Sequence, residues 1–164
     1  MDKRLLIPVL IGVAVVAIAV TFILTGTRGA HLTLEWKLVK PRLGAIDENS
    51  SVAVVDFRVA NPSDVRFVVG EVSATLTKAN GETVDGQVIA RSDVPQVLAF
   101  NRFLGNQYNP VLTIQDQIKP HDMFDRMVAV RFDVPLADLQ KARKMTLTLR
   151  EVDGLESSTD VAPK

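Results

Sequence analysis

The chain has 164 residues, with 19 lysines and arginines balanced by 19 aspartates and glutamates, and it contains no cysteine. This balance leaves no long-range field that would gather a polyanion, so we expect no nucleic-acid partner. The lack of cysteine excludes a disulfide framework, thiolate zinc sites and a cysteine nucleophile. The length is suited to one small domain together with a short additional segment.

Residues 5–25 form an uncharged apolar run that predicts a transmembrane helix, and the lipid bilayer is their expected partner. A helix of this length spans about 31 Å, which matches a hydrocarbon core of about 30 Å. Lys3 and Arg4 precede the run and Arg28 alone follows it closely, which favours a cytoplasmic N-terminus and an extracytoplasmic C-terminal domain, periplasmic in a bacterium. A cleaved signal peptide is the alternative, although residues 26–30 contain no clean A-x-A site.

After the apolar run, apolar and polar residues alternate as is typical of half-buried β-strands. Residues 31–39 are the first predicted strand and residues 51–60 the second, with a turn at 40–44 between them. Val52 and Val54 are out of phase with the later apolar residues of the second strand. This shift predicts a β-bulge near Val54.

A β-hairpin is predicted in the middle of the chain. Residues 65–78 give two strand halves with a bend at Gly70. Asn80-Gly81 predicts a type I′ turn, because both central residues of that turn need a positive φ. The return strand, residues 82–91, is weakly apolar, so we interpret it as an edge strand that could pair with a strand of a protein partner.

The C-terminal part predicts strands, a short helix and a tail. The helix begins at Pro135 with Asp133 as its cap. The last residues are polar, and we expect them to be disordered. Three further strands are predicted at 111–118, 123–134 and 144–152.

Together these patterns predict an all-β antiparallel sandwich of about seven strands with one or two short helices. The expected organisation is a cytoplasmic flank at 1–4, a transmembrane helix at 5–25, a linker at 26–31, the β-sandwich domain at 32–152 and a disordered tail at 153–164.

Three segments carry a resemblance to a known family: VDFRVANP at residues 55–62, IKP at 118–120 and VAVRFDVP at 128–135. Over residues 32–152 the chain resembles the late embryogenesis abundant type 2 domain, also called the water-stress and hypersensitive-response (WHy) domain. The resemblance implies an immunoglobulin-like sandwich, often carried on one N-terminal membrane helix, and a link with stress and desiccation tolerance. No catalytic residues are known for that family, so the resemblance implies none here.

The segment 92–109 interrupts the strand pattern and contains the candidate binding residues. Ser92 is the expected cap of a short helix that ends at Gly105, with Val97 and Leu98 facing inward. Aromatic rings, arginine and amides occur together here, a mixture enriched at protein-binding surfaces. The alternative is that the rings fill one open end of the sandwich. The candidate partner-binding residues are Phe100, Arg102, Phe103, Leu104 and Tyr108.

Few residues suggest chemistry. Nothing in the sequence brings His31 and His121 together, so we expect no metal and no other cofactor. Catalytic motifs are missing, and we expect a non-enzymatic binding or stress-protective role. The alternatives are an accessory or docking subunit of an envelope protein complex, and an enzyme or ligand-sensing subunit that uses loop carboxylates such as Asp122 and Asp125.

Overall fold

The computed structural model describes residues 12, 16, 33–39 and 41–163. The predicted transmembrane helix lies outside these residues apart from Gly12 and Val16. Within the described part of the chain, no helix is both long enough and apolar enough to cross a bilayer. The anchor therefore stays a prediction. The described residues from 33 onward belong to one unit, and the rest of this section concerns that unit.

Antiparallel strands make up most of the unit, which confirms the prediction of an all-β sandwich with few helices. The helices in the described residues are α1 (Val94–Phe100), a 3₁₀ helix (Arg102–Leu104) and α2 (Leu136–Lys141). The described strands are β1 (Glu35–Leu38), β2 (Arg42–Ala45), β3 (Ser51–Ala60), β4 (Phe67–Thr77), β5 (Thr83–Val88), β6 (Gln117–Ile118), β7 (Met123–Phe132), β8 (Lys144–Glu151) and β9 (Glu156–Val161).

A single hydrogen-bonded path connects the strands in the order β1-β3-β7-β5-β4-β8-β9, with β2 also on β3 and β6 also on β4. β5 joins the two layers, because its first part pairs with β4 and its last two residues pair with β7. Gly86 permits this crossing: a Cβ there would lie 2.4 Å from Val130 Cγ1 and 2.6 Å from Phe132 Cε1. The prediction that residues 82–91 form an edge strand is therefore wrong.

The two ends of this path come together at the open side of the sandwich. Trp36 Nε1 of β1 donates a hydrogen bond to Ser157 Oγ of β9 at 3.0 Å. The Trp36 ring also packs on Phe57, with 5.3 Å between the ring centroids. Side-chain contacts thus bring the sandwich close to a barrel. β9 also corrects the predicted disordered tail, since residues 156–161 pair with β8 along their whole length.

β3 is buried on both faces, which explains the phase shift in its sequence. Ala53, Val55 and Phe57 face the main core, whereas Val52 and Val54 face a second cluster on the outside of the sheet. This second cluster also contains residues of α1, the 3₁₀ helix, β7 and the chain before β6: Val94, Leu98, Leu104, Met127, Ala129 and Val111.

The predicted bulge near Val54 is wrong, because β3 pairs with β7 without a register shift. The irregularity lies in the neighbouring strand instead. Leu38 pairs with Phe57, and Arg42 pairs with Val54. The chain that joins β1 to β2 therefore contains one residue more than the stretch of β3 that lies opposite it. Residues 42–45, which the sequence assigned mostly to a turn, form β2.

The β4–β5 hairpin and the bend at Gly70 are confirmed, since the pairing of β4 with β8 shifts register at that glycine. The turn type differs from the prediction. Gly81 has a φ of 92°, whereas Asn80 is not among the residues with positive φ. Gly81 N donates to Lys78 O at 3.0 Å and Lys78 N to Glu82 O at 2.8 Å, which describes a type I turn followed by a left-handed glycine.

Two C-terminal predictions also need correction. Of the strand predicted at 111–118, only Gln117–Ile118 is formed, because the chain turns at Gln115, where φ is 74°. Asp133 does not cap α2, since the cap position is Pro135 and it makes no side-chain hydrogen bond. The strands predicted at 123–134 and 144–152 are confirmed, as β7 and β8.

The connections gather at two opposite ends of the unit. β1 starts opposite Ala60, the last residue of β3, so the polypeptide enters the unit there. We call this the entry end, and the opposite one the far end. The entry end carries the connections 61–66, 119–122 and 152–155, and the far end carries 46–50, 78–82 and α2.

Candidate functional site

The segment after β5 folds back over the outer face of β3 and β7. Val94, Leu98 and Leu104 point into the second cluster, which fixes α1 and the 3₁₀ helix against the sheet. Pro95 lies in the first turn of α1, where a missing N–H costs little. The cap position is Asp93, not the predicted Ser92, and it makes no side-chain cap hydrogen bond.

Asn101 connects this segment to β2. Its Oδ1 accepts a hydrogen bond from Phe103 N at 3.0 Å, and its Nδ2 donates to Ala45 O at 2.9 Å. Gly105 has a φ of 70° and ends the 3₁₀ helix. The single helix predicted to end at Gly105 is divided in two, because α1 already ends at Phe100. The backbone that carries the candidate residues is therefore held by side-chain hydrogen bonds as well as by apolar packing.

The structure separates the candidate residues into two groups. Phe100 and Phe103 are 74% and 92% exposed, and Tyr108 is also exposed, so these rings do not fill an end of the sandwich. Leu104 is fully buried in the second cluster. The prediction that Leu104 contacts a partner is therefore wrong, because its side chain is already packed inside the domain.

An open cleft of about 700 Å³ lies at the far end beside the exposed phenylalanines. Arg102 makes no ion pair within the described residues, so it is a cation available at the rim. We call Phe100, Arg102 and Phe103 the aromatic patch. The other lining residues come from β2 and α2 and their neighbours: Leu43, Gly44, Ala45, Asn101, Leu136 and Gln140.

A buried ion pair supports the loop that follows the 3₁₀ helix. Arg42 Nη2 donates to Asp56 Oδ2 at 2.7 Å, and the two side chains are 18% and 8% exposed. Asp56 Oδ1 accepts a second hydrogen bond, from Asn109 Nδ2 at 2.9 Å. Each partner thus has several hydrogen bonds, as a buried charge requires.

Arg42 also holds the loop backbone directly. Its Nη1 donates to the carbonyl oxygens of Leu104 and Asn106. Its guanidinium lies 4.8 Å from the centroid of the Tyr108 ring, within the range of a cation–π contact. Tyr108 therefore belongs to this support, which we call the Arg42–Asp56 cluster.

The missing side chain of Gly44 leaves the space that the 3₁₀ helix occupies. A Cβ on Gly44 would lie 2.5 Å from Asn101 Nδ2 and 3.0 Å from Leu104 Cδ2. These distances are shorter than van der Waals contacts, so a larger residue would push the segment away from β2.

The loop carboxylates proposed for chemistry are engaged within the chain. Asp125 forms two 2.7 Å hydrogen bonds with Arg58, and these lower the pKa of its carboxyl. Asp122 Oδ1 accepts from Met123 N at 2.8 Å. His121 lies 2.8 Å from Asp64, and both are exposed. His31 lies outside the described residues, and among those described no group of three or more His, Asp or Glu could hold a metal.

One further acid shapes the chain before β6. Burial raises the pKa of Asp116, but hydrogen bonds from Arg126 and from the backbone and hydroxyl of Thr113 outweigh burial and lower it below the ordinary value. Arg126 Nε lies 2.9 Å from Asp116 Oδ2, so this pair links the chain before β6 to β7.

Sequence reasoning missed the residues that support the aromatic patch, namely Arg42, Gly44, Asp56 and Asn109. A signal was present in β3, where Val52 and Val54 were apolar on the face assigned to solvent. An apolar outer face indicates that something covers it, and the 92–109 segment does so. Arg42 carried no such signal, because it was assigned to a turn.

Comparisons with known proteins add little. No model of a known protein family matches the chain. No curated protein matches it either. Among solved structures, an uncharacterized β-sandwich protein from Clostridium difficile is similar at 10% identity, over 78% of this chain and 85% of that chain, with a TM-score of 0.42.

Proposed function

We propose that this domain is a non-enzymatic docking module, held at a membrane by residues 5–25, that binds a protein partner through the aromatic patch. One observation carries the proposal. Phe100 and Phe103 are 74% and 92% exposed although their backbone is fixed by packing and side-chain hydrogen bonds. Large apolar side chains presented together on a surface are typical of interaction sites.

The rigid support of the patch favours binding. Association is opposed by the ordering of loops and side chains at the interface, so a segment ordered beforehand binds with a smaller entropic penalty. Leu104, Asn101 and the Arg42–Asp56 cluster hold the segment against the sheet. Phenylalanine adds a large contact area with only two side-chain torsions to fix.

The chemistry of the cleft suggests the kind of segment that it accepts. Its walls are mainly apolar, from Leu43, Leu136 and the two phenylalanines, and Arg102 is the charged residue at its rim. Guanidinium groups favour carboxylates, which they can bind through two hydrogen bonds. We therefore expect a partner segment that combines apolar side chains with an aspartate or glutamate.

The enzyme alternative has less support. Asp125 is paired with Arg58, and Asp122 accepts a hydrogen bond from the backbone of Met123, so both carboxylates already have partners within the chain. The resemblance to the late embryogenesis abundant type 2 domain supports an immunoglobulin-like classification and a second version of the proposal, in which the domain shields surfaces under stress without a fixed partner.

Photo-crosslinking of the full-length protein in its membrane tests the docking proposal. A photoreactive phenylalanine analogue replaces Phe103, and a matched probe replaces Ile114, which is exposed and apolar on another part of the surface. We expect one recurrent protein to be captured at position 103 and not at 114. Addition of Arg102→Glu should abolish that product, because it reverses the charge at the rim.

The opposite result would refute the docking proposal. Equal, diffuse products from both positions would show that the patch has no preferred protein partner. That outcome would favour the shielding version instead.

A further inference from the structure

The entry end of the domain carries a group of exposed apolar side chains. Val65, Met123, Val152 and Leu155 are between 42% and 65% exposed. Val65 lies in the connection 61–66, Val152 and Leu155 lie in 152–155, and Met123 is the first residue of β7, and the sheet brings all of them to the same end. A group of this kind at loop tips is unusual for a surface that faces only water.

These connections frame a hollow of about 750 Å³, whose lining includes Val65, Pro120 and Leu155. Carboxylates outnumber cations around it. Its lining contains two cations, Arg66 and Lys119. The carboxylates at this end are Glu35, Asp64, Asp122, Glu151, Asp153 and Glu156, of which Glu151 is buried and Asp64 faces His121. Such a surface has no preference for strongly anionic lipid, so its apolar tips would carry the contact.

The connectivity of the chain makes this end the point where the polypeptide joins the domain. Leu34 is buried in the core beside the end of β3, so the polypeptide enters the domain at the entry end. Residues 26–32 follow the apolar run, and seven residues reach at most about 25 Å when fully extended. A short tether raises the effective concentration of lipid at this surface, so that even a weak affinity for lipid keeps a large fraction of molecules in contact with the bilayer.

We propose that the entry end rests on the bilayer surface, with Val65, Met123, Val152 and Leu155 in the headgroup region of zwitterionic lipid. This inference rests on the proposed anchor at residues 5–25. It goes beyond the docking proposal, because it assigns a second interaction surface and a different class of partner.

Site-specific labelling tests the inference, and the chain offers a clean background because it contains no cysteine. Met123→Cys and Leu155→Cys variants of the full-length protein carry an environment-sensitive fluorophore in phosphatidylcholine vesicles. Glu48→Cys, exposed at the far end, is the matched control. We expect blue-shifted emission, with quenching by lipid-borne spin labels, at positions 123 and 155 and not at 48.

A second variant separates contact from chance proximity. Val65→Ser combined with Val152→Ser should return the emission of the label at 155 towards its value in water. Unchanged quenching in that variant would show that the apolar tips do not hold the surface on the lipid, and would overturn the inference.

The failure of the anchor and the failure of this inference give different results. Flotation of the full-length protein with vesicles reports the anchor alone. If the protein floats but labels at 123 and 155 are quenched only by water-soluble agents, the entry end does not contact lipid. Shielding from both kinds of quencher would indicate that protein covers the end, and this too would overturn the inference. A protein that does not float refutes the anchor, and the inference falls with it.

Discussion

Replacement of Asp56 by asparagine should destabilise the domain strongly through its effect on Arg42. The change keeps the side-chain volume and leaves an acceptor, but it removes the counter-charge of a guanidinium that is only 18% exposed. Breaking a fully buried pair costs about 3–5 kcal/mol. Because Arg42 keeps two carbonyl acceptors and some solvent, we expect about 2–4 kcal/mol, or a fall in Tm of very roughly 10 °C for a domain of this size.

Urea unfolding followed by tryptophan fluorescence measures this effect. The chain contains one tryptophan, Trp36, which packs on Phe57 in the core and therefore reports global unfolding. Asp125→Asn is the matched control, since it breaks an Arg–Asp pair between neighbouring strands whose side chains are 48% and 43% exposed. Solvent screening makes such exposed pairs weak. If Asp56→Asn lowers the midpoint no more than Asp125→Asn does, burial of the Arg42–Asp56 pair is not what stabilises this region.

Three further changes test other parts of the structure. Gly44→Val should displace the 3₁₀ helix through the clash with Asn101 and lower the free energy of unfolding by about 1–3 kcal/mol. Crosslinking from the aromatic patch should then be lost while the β-sheet circular dichroism persists, and an unchanged crosslinking pattern would contradict this. The pKa of Asp116 is lowered in the folded state, so its stabilisation is present above the unfolded pKa of about 3.9 and is lost as the pH falls through the folded value. Urea midpoints should therefore be level from about pH 7 to 5 and fall below about pH 4, less steeply in Asp116→Asn. Trp36→Phe leaves the buried Ser157 hydroxyl without its donor and should lower the free energy of unfolding by about 1–3 kcal/mol, measured by urea unfolding followed by circular dichroism. An unchanged free energy of unfolding would show that the contact between β1 and β9 does not stabilise the domain.

Local patterns in the sequence predicted most strands well. β3 matches the predicted residues 51–60, and β7 and β8 differ from prediction only near their C-terminal ends. In each of these, apolar residues recur with the period of a strand over many positions, and turn residues mark the ends. The bend at Gly70 and the hairpin at Gly81 were also predictable, because glycine there answers a local backbone requirement.

The predictions were wrong where tertiary contacts, and not the local sequence, determine the position of a strand. β5 has a weakly apolar sequence, yet it lies inside the sheet because Gly86 lets it pass over Phe132. β9 is polar, but it is ordered because β8 offers a free edge and Ser157 bonds to Trp36. The phase shift of apolar residues in β3 could indicate either a β-bulge or an outer face that another segment covers. The sequence alone could not distinguish these, and the packing of α1 against the outer face shows that the second is correct.

The same covered face determines how the domain can present a partner site. Because Val52, Val54 and Asp56 fix the 92–109 segment to the outside of the sheet, its exposed rings lie beside the cleft at the far end. The polypeptide enters at the other end, where the proposed lipid contact lies. Under both proposals the sheet separates the aromatic patch from the bilayer. Lipid then does not compete with the protein partner for the exposed rings. Labels at the two ends of one molecule would then respond to different partners, and loss of either surface should leave the other intact.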